Sequence, residues 1–142
     1  MESLGEKKPL RLLFVGAGGV GAYYAARLIM GGNSVVLTAR GGHLEAMQSH
    51  GLKVEHDQFS FKQPVCAVDQ ATLQRQYQCE DFDVLVLCLK SQDTASWLDS
   101  NSVWLAAGAT PVLSLQNGVE NEAVLSKVLG VGRVVGGLAV RI

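Results

Sequence analysis

Gly16-Ala17-Gly18-Gly19-Val20-Gly21 sets three glycines in the spacing G-x-G-x-x-G. Such a run can bind a phosphate without any charged side chain. Bare backbone comes within hydrogen-bonding distance of the oxygens, and the free N–H groups and positive dipole end of a following helix hold the charge. In a dinucleotide site each position has its task. Gly16 permits a sharp turn, Gly18 lets the backbone approach a pyrophosphate, and Gly21 lets helix and strand pack closely, with Ala17, Gly19 and Val20 completing the cradle. The motif has this meaning only where a strand precedes it and a helix follows.

Arg40 stands nineteen residues past Gly21. Sites for NAD place an Asp or Glu near this position to accept hydrogen bonds from the ribose hydroxyls. Here the segment is Leu37-Thr38-Ala39-Arg40-Gly41-Gly42, and no acid follows before Glu45. A guanidinium makes a bidentate, charge-assisted contact with a phosphate. Arg40 is therefore expected to meet a 2′-phosphate, with the Thr38 hydroxyl and the N–H groups of Gly41-Gly42 beside it, which favours NADP over NAD and over FAD. Lys90 and Asn117 each follow an apolar run and point to the same crevice. By residue type alone, Lys90 is equally a solvated lysine, and Asn117-Gly118 is equally a turn.

The elements that must position these residues are legible in the apolar pattern. Residues 10–15 read as a buried strand stopped by the glycine run, 20–30 as a helix closed by Gly31-Gly32, and 34–39 as a second strand, together one βαβ unit. A short helix is expected at 43–50. Three alternating stretches, 52–54, 59–61 and 65–67, suggest a small antiparallel excursion. Beyond it follow a strongly apolar strand at 82–89, a helix over 94–107, a strand at 111–115, a helix at 121–129 and a last strand at 133–140. Alternation of this kind predicts an α/β, Rossmann-type doubly wound, mostly parallel sheet with helices on both faces. Residues 1–9 read as a flexible leader and 10–142 as one domain.

Composition agrees and excludes several classes. The chain has 142 residues, 48% hydrophobic and 18% charged, with a formal net charge of −1. That suffices for a core and rules out disorder driven by charge. Charges this balanced leave no footprint for nucleic acid or an anionic membrane surface. Three cysteines without metal-type spacing suggest neither a disulfide framework nor a metal site, so a reduced, cytoplasmic protein is expected. Cys88 reads as a small buried residue, and His43, His50 and His56 as surface residues without ligand spacing.

Together Gly16 to Gly21, Ala39-Arg40-Gly41 with His43-Leu44, Gly51-Leu52, Leu87-Cys88-Leu89-Lys90-Ser91, the run from Leu115 through Gln116-Asn117-Gly118 to Asn121, and Gly136-Gly137 resemble the ketopantoate reductase (2-dehydropantoate 2-reductase, ApbA/PanE) family. The resemblance implies NADPH-dependent reduction of ketopantoate to pantoate on the pantothenate pathway. It implies that Lys90 contacts NADP and that Asn117 lies between nicotinamide and substrate. The family's helical C-terminal domain, which carries the general acid and most substrate contacts, has no counterpart here. No catalytic residue is therefore assigned, and the chain is expected to be inactive alone, meeting its 2-keto acid substrate through that missing domain. An apolar face left where such a domain docks would favour homo-oligomers. A non-catalytic NADP-binding sensor and a reductase of another 2-keto acid stay open as alternatives.

Overall fold

A computed structural model describes residues 8–16, 18–116 and 120–136. The chain runs through β1 (Arg11–Val15), α1 (Gly19–Met30), β2 (Ser34–Thr38) and α2 (Gly41–His50). A hairpin of β3 (Leu52–His56) and β4 (Phe59–Gln63) precedes β5 (Cys66–Val68) and α3 (Gln70–Gln76). Then come β6 (Val84–Leu87), α4 (Thr94–Ser100), α5 (Ser102–Ala106), β7 (Val112–Ser114), α6 (Glu120–Leu129) and β8 (Val134–Gly136). Among the described residues six strands form one sheet in the order β5-β2-β1-β6-β7-β8, every neighbouring pair parallel. This is the Rossmann-type doubly wound sheet expected from the alternation.

The period-2 geometry of the strands divides the core between two faces. Leu12 and Phe14 of β1, Val35 and Leu37 of β2 and Val86 of β6 pack with Ala25 and Ala26 of α1, Met47 of α2 and Phe61 of the hairpin. Leu13 and Val15, Val36, and Leu85 and Leu87 face the other way, onto Leu73 of α3, Trp97 and Leu98 of α4, Leu105 of α5 and Leu125 of α6. Each central strand is buried on both sides, which is why its sequence is nearly continuous in apolar residues. Full burial of such a side chain contributes about 1.5–3 kcal/mol. The sheet is built outward from β1 in both directions, so the strand order reverses at β1 and β6. A crevice opens outside their carboxyl ends, as at any topological switch point.

Several expectations change. The stretch near 65–67 is not part of the antiparallel excursion. Only β3 and β4 form that hairpin, while β5 returns to the main sheet beside β2, because Ala67 and Val68 are apolar enough to be buried at its edge. Residues 70–76 form an unexpected helix that buries the single side chain Leu73; its start is capped by Asp69, whose carboxylate accepts from the Thr72 N–H at 2.7 Å. The strand expected at 82–89 is the shorter β6. The helix expected at 94–107 is broken at Asn101, whose side-chain amide donates to the Trp97 carbonyl at 2.8 Å, in competition with the helix's own ladder. Of the strand expected at 133–140, 134–136 is β8; residues 137–142, like 1–7, lie outside the described residues.

Asn101 is 1% exposed, and its carbonyl oxygen accepts from the side-chain amides of Gln70 and Gln74, tying α3 to the α4–α5 junction. Replacing Asn101 with Ala removes the acceptor that both glutamines share, while the Trp97 carbonyl keeps the backbone N–H of residue 101 at 3.1 Å. The expected loss is about 1–3 kcal/mol of stability, read as a lowered urea midpoint with an unchanged m-value.

Candidate functional site

The glycine loop lies where the motif requires, between the end of β1 and the start of α1. Gly16 adopts φ +83°, a conformation L side chains rarely take, and an added Cβ would also lie 3.1 Å from a Leu89 methyl. At Gly21 the limit is space. A Cβ there would stand 3.0 Å from the Gly16 carbonyl oxygen and 3.1 Å from Cys88 Sγ, so α1 presses against the loop and the end of β6 only because the side chain is absent. Gly18 and Gly19 are the converse, with no heavy atom within 4 Å of where a Cβ would lie. They face open space in a cleft of about 480 Å³, walled on its far side by Cys88, Lys90, Ser91 and Gln116.

The N-terminus of α1 is left electrostatically bare. Gly18 is the N-cap and offers no side-chain acceptor, and the first turn carries no acid. Helical geometry leaves the N–H groups of a first turn without intrahelical partners. Uncapped amides, the positive dipole end and a glycine cradle that any Cβ would fill make up the donor set a pyrophosphate needs. Ala17 lies outside the described residues.

A second cleft of about 270 Å³ continues from this one past Leu89 and Gly16 to the end of β2. Arg40 lines it as the extended N-cap residue of α2. Gly41 and Gly42 are the first residues of that helix, which begins two positions earlier than the sequence suggested, with no side-chain cap and no acid in its first turn. Arg40 is exposed and makes no ion pair among the described residues, where Lys53 and Glu55 pair at 3.9 Å. Thr38 lines the same cleft, 5% exposed, with its hydroxyl donating to the Phe14 carbonyl at 3.5 Å. Trp97, in the wall of this cleft, keeps an indole N–H with no partner among the described residues.

Lys90 follows β6 on the rim of the first cleft, exposed and in an extended conformation before a short 3₁₀ turn at Ser91–Asp93. Asn117, the other strand-end candidate, lies outside the described residues. Cys88 is inert. Burial pushes its thiol up to about 12, so it stays protonated at neutral pH and serves as packing against Gly21.

Sequence reasoning assigned no role to a buried polar chain beneath the first cleft. The Ser114 hydroxyl donates to Gln116 Oε1 at 3.1 Å, Gln116 Nε2 donates to Thr94 Oγ1 and to the Leu89 carbonyl, Thr94 donates to Asn121 Oδ1 at 3.4 Å, and Asn121 Nδ2 donates to Ser91 Oγ at 2.9 Å. The available signal was a set of polar residues at the ends of otherwise apolar strands. Their pairing across 22 to 30 residues of chain had no local trace.

The family model described as ketopantoate reductase PanE/ApbA matches residues 12–141. A curated 2-dehydropantoate 2-reductase of Mesorhizobium japonicum is 34% identical over 111 residues, covering 78% of this chain and 32% of the relative. The crystal structure of a PanE/ApbA family ketopantoate reductase from Ralstonia eutropha superposes with a TM-score of 0.76 at 34% identity, over 92% of this chain and 41% of that one. D-mandelate dehydrogenase, solved in complex with NADH, shares the fold with a TM-score of 0.70 at 21% identity, over 91% of this chain and 38% of that one. The chain thus spans about a third of the length of the curated relative it matches.

The thiols give a direct check on the packing at Gly21. In native protein at pH 8, iodoacetamide should label exposed Cys66 and leave Cys88 unmodified until denaturant is added. Mass spectrometry of the peptides reads the order, and labelling of native Cys88 would contradict the packing described.

Proposed function

Since the chain belongs to the ketopantoate reductase PanE/ApbA family, whose members are oxidoreductases that use a nicotinamide cofactor, we propose that it is the NADP(H)-binding part of a 2-keto acid reductase. The observation that carries this is the uncapped, acid-free N-terminus of α1 opening onto a cleft at the sheet's switch point. There the N–H groups of the first turn, with the backbone of residues 16–21, hold the pyrophosphate. Arg40 and the amides at the start of α2 take the 2′-phosphate, and the indole N–H of Trp97 is an unpaired donor in the wall of the adenosine end. Lys90 adds positive charge on the rim. Asn117, next in sequence to Gln116, orients the nicotinamide against the substrate.

The cofactor, when bound, supplies the hydride. What this chain contributes is position and charge. Two helix N-termini and one guanidinium offset the phosphates without making the protein basic overall, and Leu89 separates the two clefts as an apolar divider. The substrate of the complete enzyme is a small 2-keto acid of the ketopantoate class. The groups that bind it and protonate its oxygen belong to the part of the relatives' length that this chain does not match. The protein acts in the cytoplasm and needs no metal.

Calorimetric titration of this chain should show NADPH binding more tightly than NADH. Arg40→Ala should weaken NADPH by about 1.5–3 kcal/mol, the worth of a hydrogen bond to a charged group and roughly tenfold to a hundredfold in Kd, while leaving NADH nearly unchanged. Equal affinities in the unmodified chain would refute the assignment of Arg40.

A further inference from the structure

The first cleft has walls from different crossovers of the sheet, the segment 88–92 after β6 and Leu115-Gln116 after β7. Gln116, 7% exposed, joins them. Its Nε2 donates to the carbonyl of Leu89, the residue before Lys90, at 3.1 Å, and to Thr94 Oγ1 at the start of α4. Its Oε1 accepts from Ser114, and the Leu89 carbonyl, which can only accept, fixes which way the amide faces. Thr94, 2% exposed, and Asn121, 4% exposed, carry the chain on to Ser91, two residues along from Leu89 in the same segment. Burying this many polar groups is a poor route to stability, because each must first be desolvated and a satisfied hydrogen bond returns little net. What such a network provides is direction, a fixed distance and orientation between two loops that apolar packing would leave free to slide.

We propose that Gln116 is a positioning residue for the dinucleotide, locking the Leu89-Lys90 segment to the end of β7 so that the two present one fixed wall to the nicotinamide half of the cofactor. The proposal rests on the reading of this cleft as a dinucleotide site. Gln116 acts through Leu89 and Thr94, and Arg40 and the end of β2 lie on the far side of Leu89 in the other cleft. Its loss therefore falls on the nicotinamide half and spares the adenosine half.

The test measures Kd for NADPH and for adenosine 2′,5′-bisphosphate, which lacks the nicotinamide half, on the unmodified chain, on Gln116→Leu and on Gln116→Glu. For Gln116→Leu the expected result is NADPH binding weakened roughly tenfold, with the bisphosphate changed less than about twofold. Retained bisphosphate binding also certifies the fold of the variant. Gln116→Glu keeps the shape but turns a carboxylate toward the Leu89 carbonyl. Its NADPH affinity should recover as pH falls, because the protonated acid regains a donor. An unchanged ratio of the two affinities, an equal loss of both with a lowered melting temperature, or a pH-independent Gln116→Glu would each overturn the positioning role. If the unmodified chain binds neither ligand, the dinucleotide reading itself fails, and this proposal with it.

Discussion

The approach of α1 to the sheet at Gly21 is the constraint from which the arrangement of the site follows. With the Gly16 carbonyl oxygen 3.0 Å and Cys88 Sγ 3.1 Å from where a Cβ on Gly21 would lie, the helix can start this close to the sheet only with glycine there. Cys88 can press there because its own N–H donates to the Val15 carbonyl at 2.9 Å, extending the pairing of β6 with β1 by one residue past the regular ladder. The start of α1, the end of β1 and the end of β6 are thus one packed unit. Gly18 and Gly19 are left as its open edge. The same contact half-buries the Cys88 thiol against the start of the helix, and that burial penalises the thiolate.

Charge follows the same economy. A net charge of −1 could not steer a polyanion by its field, and the proposed function does not require that. Both helices that begin at the crevice, α1 and α2, lack an acid in the first turn and a side-chain cap, so the positive ends of two dipoles stay unspent at two neighbouring clefts that meet at Leu89. In the proposed function a single guanidinium at the N-cap of α2 is what discriminates at the 2′ position. The buried amide and hydroxyl chain through Gln116 belongs to the opposite wall. Its role in the proposal is geometric, and it adds no charge.

Much of this was legible in the residues, for physical reasons that can be named. A central parallel strand is buried on both faces, so residues 10–15, 34–39 and 82–89 announced themselves by continuous apolarity, and the glycine run between the first of them and a helical pattern announced the crevice. The parallel sheet followed from the alternation, whereas the order of its strands is set by pairing between segments distant in sequence. What failed was local chemistry overridden by distant contacts. β5 has the same short apolar pattern as a hairpin strand, and only its pairing with β2 distinguishes it. Asn101 breaks a helix that propensity would continue, because two glutamines from α3 hold its side chain. The Gln116 network was invisible for the same reason, since its partners are distant in sequence.

The central claim is that the backbone N–H groups at the start of α1 receive the phosphates of a dinucleotide. The most direct test is an amide-resolved NMR titration of this chain with NADP⁺. The account predicts the largest shifts at the N–H signals of Gly18, Gly19 and Val20, with a second set at Gly41 and Gly42. Saturable binding that leaves those glycine signals unmoved and perturbs instead the β3–β4 hairpin or the edge formed by α6 and β8 would contradict it.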